Sequence, residues 1–395
     1  MERKNKPWSI GLVVGEVSGD MLGAGLVKQL KTLLDDVEFR GIAGPLTQAE
    51  GCRTLYPMEK LSIIGLVEAL GKFRGVLKIR KALVREFLDK PPDIFIGIDV
   101  PDFNLGLEKR LKQAGIPTVH YVSPTVWAWR GYRIKYIHKA VNRMLALFPF
   151  EEVYYRRHNI PVTFVGHPMA ERIEREVDRK AYRKKLDLPE NRTIIALLPG
   201  SRSSELIRHS RLFIRTVAWL LDKNDNLLFI APFVNRKTRK IFNRAVNKLE
   251  AWDYPVKQVD GHSRDVMAAS DIVLLASGTA TLEAAIMKRL MVITYKVSFI
   301  TSLLVRAFSH VSLYSMPNNL AGHELVPEFM QSDATPENLG AAVIELLTDK
   351  NKAESITTEL GKIRDQLAQD ADKKAAQAIY EELRLRYPVR FQQSA

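Results

Sequence analysis

Short apolar runs of strand length alternate with amphipathic segments along most of the chain. Ile10–Gly15, Phe39–Ala43, Asp93–Ile98, Thr118–Val122, Met144–Phe148 and Thr163–Val165 are nearly continuous in apolar residues. That pattern fits parallel strands covered on both faces, because a half-exposed strand would alternate polar and apolar positions. Between the first two runs, Leu22, Leu26, Leu30 and Leu33 recur at helical spacing and mark one buried stripe. A charged stretch, 171–192, reads as a connection plus a surface helix. The alternation then resumes with Ile194–Leu198, Leu227–Ala231, Val256–Val259, Ile272–Ala276 and Met291–Tyr295. Two successive series of this kind predict two doubly wound, parallel-sheet α/β domains. The expected divisions are residues 1–170, 171–370 and a terminal helix within 371–395 with the option of packing back on the first domain. Periodicity also predicts helices over Pro336–Asp349, Ala353–Gln369 and Ala371–Leu385. In doubly wound sheets ligands bind beyond the carboxyl ends of the strands, so a cleft between two facing domains is the expected active site.

Composition narrows the class. The chain has 395 residues, of which 46% are hydrophobic and 26% charged. That is ordinary for a globular protein, and it excludes disorder and a disulfide-stapled mini-fold. Cys52 is the only cysteine, so no intrachain disulfide or CxxC site exists, which fits a reducing compartment such as the cytoplasm. The basic N-terminus followed by an apolar run looks like a secretory signal. Glu16 and Asp20 follow at once, however, and no small-residue cleavage site is present, so the run reads as a first buried strand. Leu61–Leu77 is interrupted by Glu68, Lys72 and Arg74 and falls short of the roughly 20 apolar residues of a membrane span. The formal net charge of +14 attracts nucleic acid, anionic lipid or phosphorylated substrates without choosing among them.

The loops after the strands carry the candidate chemistry. Gly15-Glu16-Val17-Ser18-Gly19-Asp20 joins a strand to a helix but is neither a GxGxxG nor a Walker A loop. It either receives an anion on the helix amides or is a turn capped by Ser18 or Asp20. Asp99 ends an apolar strand before Val100-Pro101-Asp102-Phe103-Asn104. A carboxylate there can accept a proton, or it caps the next helix. Trp127, Trp129 and Arg130 follow another strand and either wall an amphiphilic pocket or pack as core. Pro199-Gly200-Ser201-Arg202 offers glycine, amides and a guanidinium fork to a diphosphate. Ser277-Gly278-Thr279 opens another helix, and Glu283, one turn on, is placed for a ribose diol or simply for the helix dipole. No HExxH and no paired metal-ligand spacing among the histidines is present, so no metal is expected.

Six segments together resemble the bacterial lipid-A-disaccharide synthase family. They are GEVSGD (15–20), GIDVPDFN (97–104), HYVSPTVWAW (120–129), LPGSR (198–202), LLASGTATLE (274–283) and MPNNLAG (316–322). The resemblance implies a GT-B fold of two Rossmann-like domains, the first on the acceptor and membrane side and the second binding a UDP-sugar. It implies an inverting transfer of 2,3-diacylglucosamine from its UDP derivative to the 6-hydroxyl of 2,3-diacylglucosamine 1-phosphate (lipid X), without a cofactor. Asp99 would be the general base, with Arg202 and Glu16 beside the reaction. Gly200, Ser201, Arg202, Ser277, Gly278, Thr279, Glu283 and Asn318 would bind the donor. Glu16, Ser18, Trp127 and Arg130 would meet the acceptor. Lipid substrates also suggest an interfacial patch of Leu66, Leu70 and Phe73 beside Arg74, Lys78 and Arg80, against a buried helix as the plainer reading. The expected setting is cytoplasmic, at an anionic inner-membrane surface, as a monomer or homodimer, with no nucleic-acid partner. The competing readings are another UDP-sugar enzyme of the same fold and a non-catalytic basic binding protein.

Overall fold

A computed structural model describes residues 6–61, 69–297 and 313–392, with side chains set aside at 69–73. The chain divides into two compact units, Met1–Pro168 with Leu367–Ala395, and Met169–Gln366.

The first unit is built on a parallel sheet of strands β1 (Trp8–Val14), β2 (Val37–Ile42), β3 (Cys52–Thr54), β4 (Ile94–Ile98), β5 (Thr118–Tyr121), β6 (Arg143–Ala146) and β7 (Val162–Phe164). Their order across the sheet is β3-β2-β1-β4-β5-β6-β7. Chain order reverses between β1 and β4, which is the switch point where such sheets open a crevice. The central strands read as continuous apolar runs because helices cover both faces, and every residue of β4 is buried. Leu22, Leu26 and Leu30 of helix Val17–Leu33 are buried in this core. The terminal helix Ala371–Arg386 packs on that helix, adding Ala375, Ala376, Ile379 and Leu383 to the same core.

The second unit repeats the plan with β8 (Thr193–Leu198), β9 (Leu227–Phe233), β10 (Val256–Asp260), β11 (Ile272–Ala276), β12 (Leu290–Tyr295) and β13 (Glu328–Met330). The order is β10-β9-β8-β11-β12-β13, with all pairs parallel and a switch between β8 and β11. The edge strands β3 and β13 are three residues each and give no periodic signal of their own. Within the charged stretch, helix Arg179–Lys185 lies on the surface except for Arg183, which is a correction to a purely solvated reading. Its guanidinium donates to Asp271 Oδ2 at 2.6 Å and to the Ala269 carbonyl at 3.1 Å. Asp271 Oδ2 in turn accepts from the Ile194 amide, so this buried charge is fully partnered.

Candidate functional site

In the first unit, the ends of β1 and β4 meet at one point. Gly15 closes β1, and a Cβ there would lie 2.1 Å from Val100 Cγ2, so no larger residue fits. Asp99 and Val100 both take left-handed backbone conformations, with φ of 56° and 43°. That is costly for a β-branched valine, and such strain persists where surrounding contacts hold it. The holding contacts are visible. The Asp99 amide donates to the Tyr121 carbonyl at 2.8 Å, and the buried Asn104 side chain donates to the Asp99 carbonyl at 2.8 Å. Asp99 Oδ1 accepts from the Val100 amide at 2.8 Å, so the carboxylate is aimed by its own turn. Its Cβ borders Gly19 in the first turn of helix Val17–Leu33. Glu16, at the N-cap of that helix, and Ser18, in its first turn, are exposed. Asp20 is not available to a ligand. It is buried, and its carboxylate accepts from the Leu46 and Thr47 amides at 2.9 and 3.0 Å, capping a different helix.

The loop after β5 rests on a buried polar network. Ser123 Oγ and Tyr155 Oη are 2.9 Å apart, and Glu151 beneath them accepts from the Leu147 and Phe148 amides. Burial pushes the Glu151 carboxyl up to about 8, so it is largely protonated at neutral pH. Trp127 is half-buried and packs edge-to-face on Phe150 with ring centroids 4.7 Å apart. Trp129 is more open, and the Arg130 guanidinium stacks over its indole at 3.9 Å. Arg130 also lines a cleft of about 420 Å³ with Pro101, Asp102, Tyr132, Arg133 and Tyr136. Arg133 is paired there with Asp102 at 2.6 Å.

In the second unit two glycine loops open helices at the carboxyl ends of β8 and β11. Gly200 has φ +130°, and Glu205 packs where its Cβ would be. The Ser201 and Arg202 amides, expected to receive phosphate, instead donate to Glu205 Oε2 at 2.9 and 3.1 Å. This corrects the amide part of the cradle: the carboxylate three residues into the helix already caps it. The Ser201 and Arg202 side chains remain exposed. The loop at Gly278 differs. Gly278 and Thr279 are exposed, Ser277 is half-buried, and helix Thr279–Ile286 has no side-chain cap. The start of this helix is therefore left without the side-chain cap that closes the Gly200 loop. Glu283 Oε1 is held by Arg264 Nε and Nη2 at 3.0 and 2.9 Å, which leaves Oε2 for a diol.

Asn318 is corrected from a donor-lining residue to an internal bracket. It is fully buried, and its Oδ1 accepts from the Leu325 and Val326 amides while its Nδ2 donates to the Val326 carbonyl and to Glu328. Two donors and two acceptors exhaust a carboxamide. Arg80 is half-buried and donates to the Asp102 carbonyl at 3.3 Å. Arg74 and Lys78 are exposed on helix Ala69–Asp89, whereas Leu66 and the side chains of Leu70 and Phe73 lie outside the described residues. Burial pushes the Cys52 thiol up to about 12, which leaves it inert.

Three positions escaped sequence reasoning. Asn104 fixes the Asp99 turn, and Glu151 supports the tryptophan loop. His209, buried in helix Ser203–Lys223, donates from Nδ1 to the Pro199 carbonyl at 3.0 Å and accepts the Lys296 amide on Nε2 at 2.9 Å. It ties the Gly200 loop to the exit of β12. The only signal for each is a polar residue on an apolar helix face.

Two parallel α/β units, each with a switch point at its centre, define the GT-B fold, and the comparisons agree. At 13% identity the fold matches UDP-N-acetylglucosamine 2-epimerase from Neisseria meningitidis bound to UDP-GlcNAc, with a TM-score of 0.61 over 96% of this chain and 99% of that one. It also matches Acinetobacter baumannii MurG, with a TM-score of 0.58, 13% identity and coverage of 95% and 100%. The lipid-A-disaccharide synthetase family model matches residues 10–382. The lipid-A-disaccharide synthase of Dechloromonas aromatica is 47% identical over 373 residues, 94% of this chain and 98% of that protein. That of Methylobacillus flagellatus is 46% identical over 371 residues, 94% and 98% of the two chains. The chain belongs to the lipid-A-disaccharide synthetase family. It is a glycosyltransferase of lipid A biosynthesis, which sets aside the non-catalytic reading.

Proposed function

We propose that the protein joins a UDP-activated 2,3-diacylglucosamine to lipid X with Asp99 as general base. The observation that carries this reading is the strained, doubly braced turn that aims the Asp99 carboxylate at the switch point of the first sheet. The base takes the proton of the acceptor 6-hydroxyl as its oxygen attacks the anomeric carbon, and UDP departs. Attack opposite the leaving group turns the α-linked donor into a β-1,6 disaccharide.

In this reading the open amides at Gly278 and Thr279, with Ser277, hold the diphosphate, and Arg202 offsets charge developing on departing UDP. Gly200 and Ser201 shape the neighbouring loop, and Glu283 Oε2 binds the ribose. Glu16 and Ser18 face the acceptor sugar. Trp127 supports the wall on which Trp129 and Arg130 sit, and Arg130 receives the acceptor phosphate. The first unit thus serves the acceptor and the second the donor. The protein works at an anionic membrane surface, with Arg74 and Lys78 contributing. Among the described residues no helix is long and apolar enough to cross a membrane.

The test is UDP release from the diacylated donor with and without lipid X, for the wild type and Asp99→Ala. The variant is expected to lose about 10²–10⁴ in turnover, as removal of a general base does. Its UDP affinity should survive. Near-normal turnover would overturn the assignment of the base, and release independent of lipid X would overturn the acceptor.

A further inference from the structure

A second positively charged feature lies along helix Ser203–Lys223, away from its capped start. Arg208, Arg211 and Arg215 follow one another at three- and four-residue spacing and project from one face, with Trp219 one turn further. Together with Lys296 at the exit of β12 and the start of helix Pro336–Thr348, they line a groove of about 750 Å³. All three arginines are exposed, and none of the four cations has an ion-pair partner among the described residues. Of the two acids in the groove, Asp222 is paired with Lys223 at 2.9 Å, and Glu337 has no ion-pair partner among the described residues. Like charges at helical spacing repel, so the row carries a standing cost that a bound anion would relieve.

The groove is also half apolar. The Trp219 indole lies against Gly340, and Leu212 and Pro336 extend that wall. Guanidinium forks beside an aromatic wall suit an anion that carries its own apolar body, rather than a free inorganic ion. The geometry points to this groove as a binding site for the phosphate headgroup of an acidic membrane phospholipid. It rests on the membrane-surface part of the proposed function and is independent of the sugar chemistry. It places a membrane contact in the second unit, remote in sequence from the patch at 66–80.

Flotation of the full-length protein with phosphatidylcholine vesicles, with and without phosphatidylglycerol, tests it. Wild type is expected to bind the phosphatidylglycerol vesicles and to release them as salt rises. Arg211→Gln with Arg215→Gln should weaken that binding roughly tenfold or more, since each basic residue near an anionic surface contributes several-fold. Arg211→Glu with Arg215→Glu should weaken it further, and the glutamine pair decides if the glutamate pair does not fold. UDP affinity should be unchanged in both. Wild type that ignores phosphatidylglycerol would overturn the membrane reading itself. Wild type that binds while both variants bind equally well would overturn only the groove. Glycerol 3-phosphate raising the melting temperature, with no vesicle preference, would assign the groove to a soluble anion and overturn the lipid.

Discussion

Two helix starts in the second unit share one local grammar and behave differently. Both follow a buried strand, both pass through glycine, and both offer hydroxyls and fresh amides. At Gly200 the third helical residue is Glu205, whose carboxylate turns back onto the Ser201 and Arg202 amides. At Gly278 the third helical residue is Thr281, whose hydroxyl donates at 2.7 Å to the Gly278 carbonyl and covers no amide. One side chain therefore separates a self-capped helix start from an uncapped one. A glycine loop before a helix says that a phosphate fits; the residue at the third helical position says whether the amides are free to receive it.

The sharpest way to break this comparison is to remove an amide from the open loop. Thr279→Pro suits its position, because proline is favoured at the first helical residue and Gly278 is already extended. The fold should persist, while loss of a hydrogen bond to a charged group, worth about 1.5–3 kcal/mol, should weaken UDP binding by roughly 10- to 150-fold in calorimetry. Thr279→Ala keeps the amide and serves as the control. If Thr279→Pro binds UDP like wild type, the open amides are not the diphosphate site.

The capped loop should respond in the opposite manner. Glu205→Ala removes the cap at a cost of about 1 kcal/mol, a few degrees in melting temperature for a unit of this size. UDP affinity should stay within about threefold, since losing a cap changes helix stability more than ligand contacts. A large gain in affinity would show instead that Glu205 competes with the diphosphate for the Ser201 and Arg202 amides. The two loops would then act alike once ligand is present.

The same contrast explains what was legible in the sequence. Long buried strands such as β4 and β11 read directly, because every position is apolar. Asp99 read as a candidate because a carboxylate at the carboxyl end of such a strand faces the ligand crevice. Asn318 did not read correctly. Its surroundings suggest a ligand-facing loop, yet the Leu325 and Val326 amides that saturate it arrive only when the chain folds back. Arg183 failed for a similar reason, since a charge in sequence looks solvated until a carbonyl or carboxylate from another element meets it.

His209 is the hidden partner of the capped loop and gives the smallest, most specific test. Its two bonds require the neutral ring, protonated on Nδ1 and accepting on Nε2. Burial holds its pKa below the usual histidine value, with Arg208 and Lys296 acting in the same direction and the Pro199 carbonyl and Glu205 opposing. The rings of Phe213 and Tyr295 complete its surroundings. The unfolded chain therefore binds a proton before the folded one does. Stability from this group is full above about pH 6.5 and is lost as pH falls through the lowered folded value. Protonation would also turn the Lys296 amide and Nε2 into two donors facing each other, loosening the Gly200 loop from β12. Melting temperature against pH should thus fall on the acid side in wild type. His209→Gln, which can donate and accept without titrating, should fall less steeply. Parallel acid limbs in the two proteins would mean that other groups set the acid sensitivity and that His209 acts by packing alone.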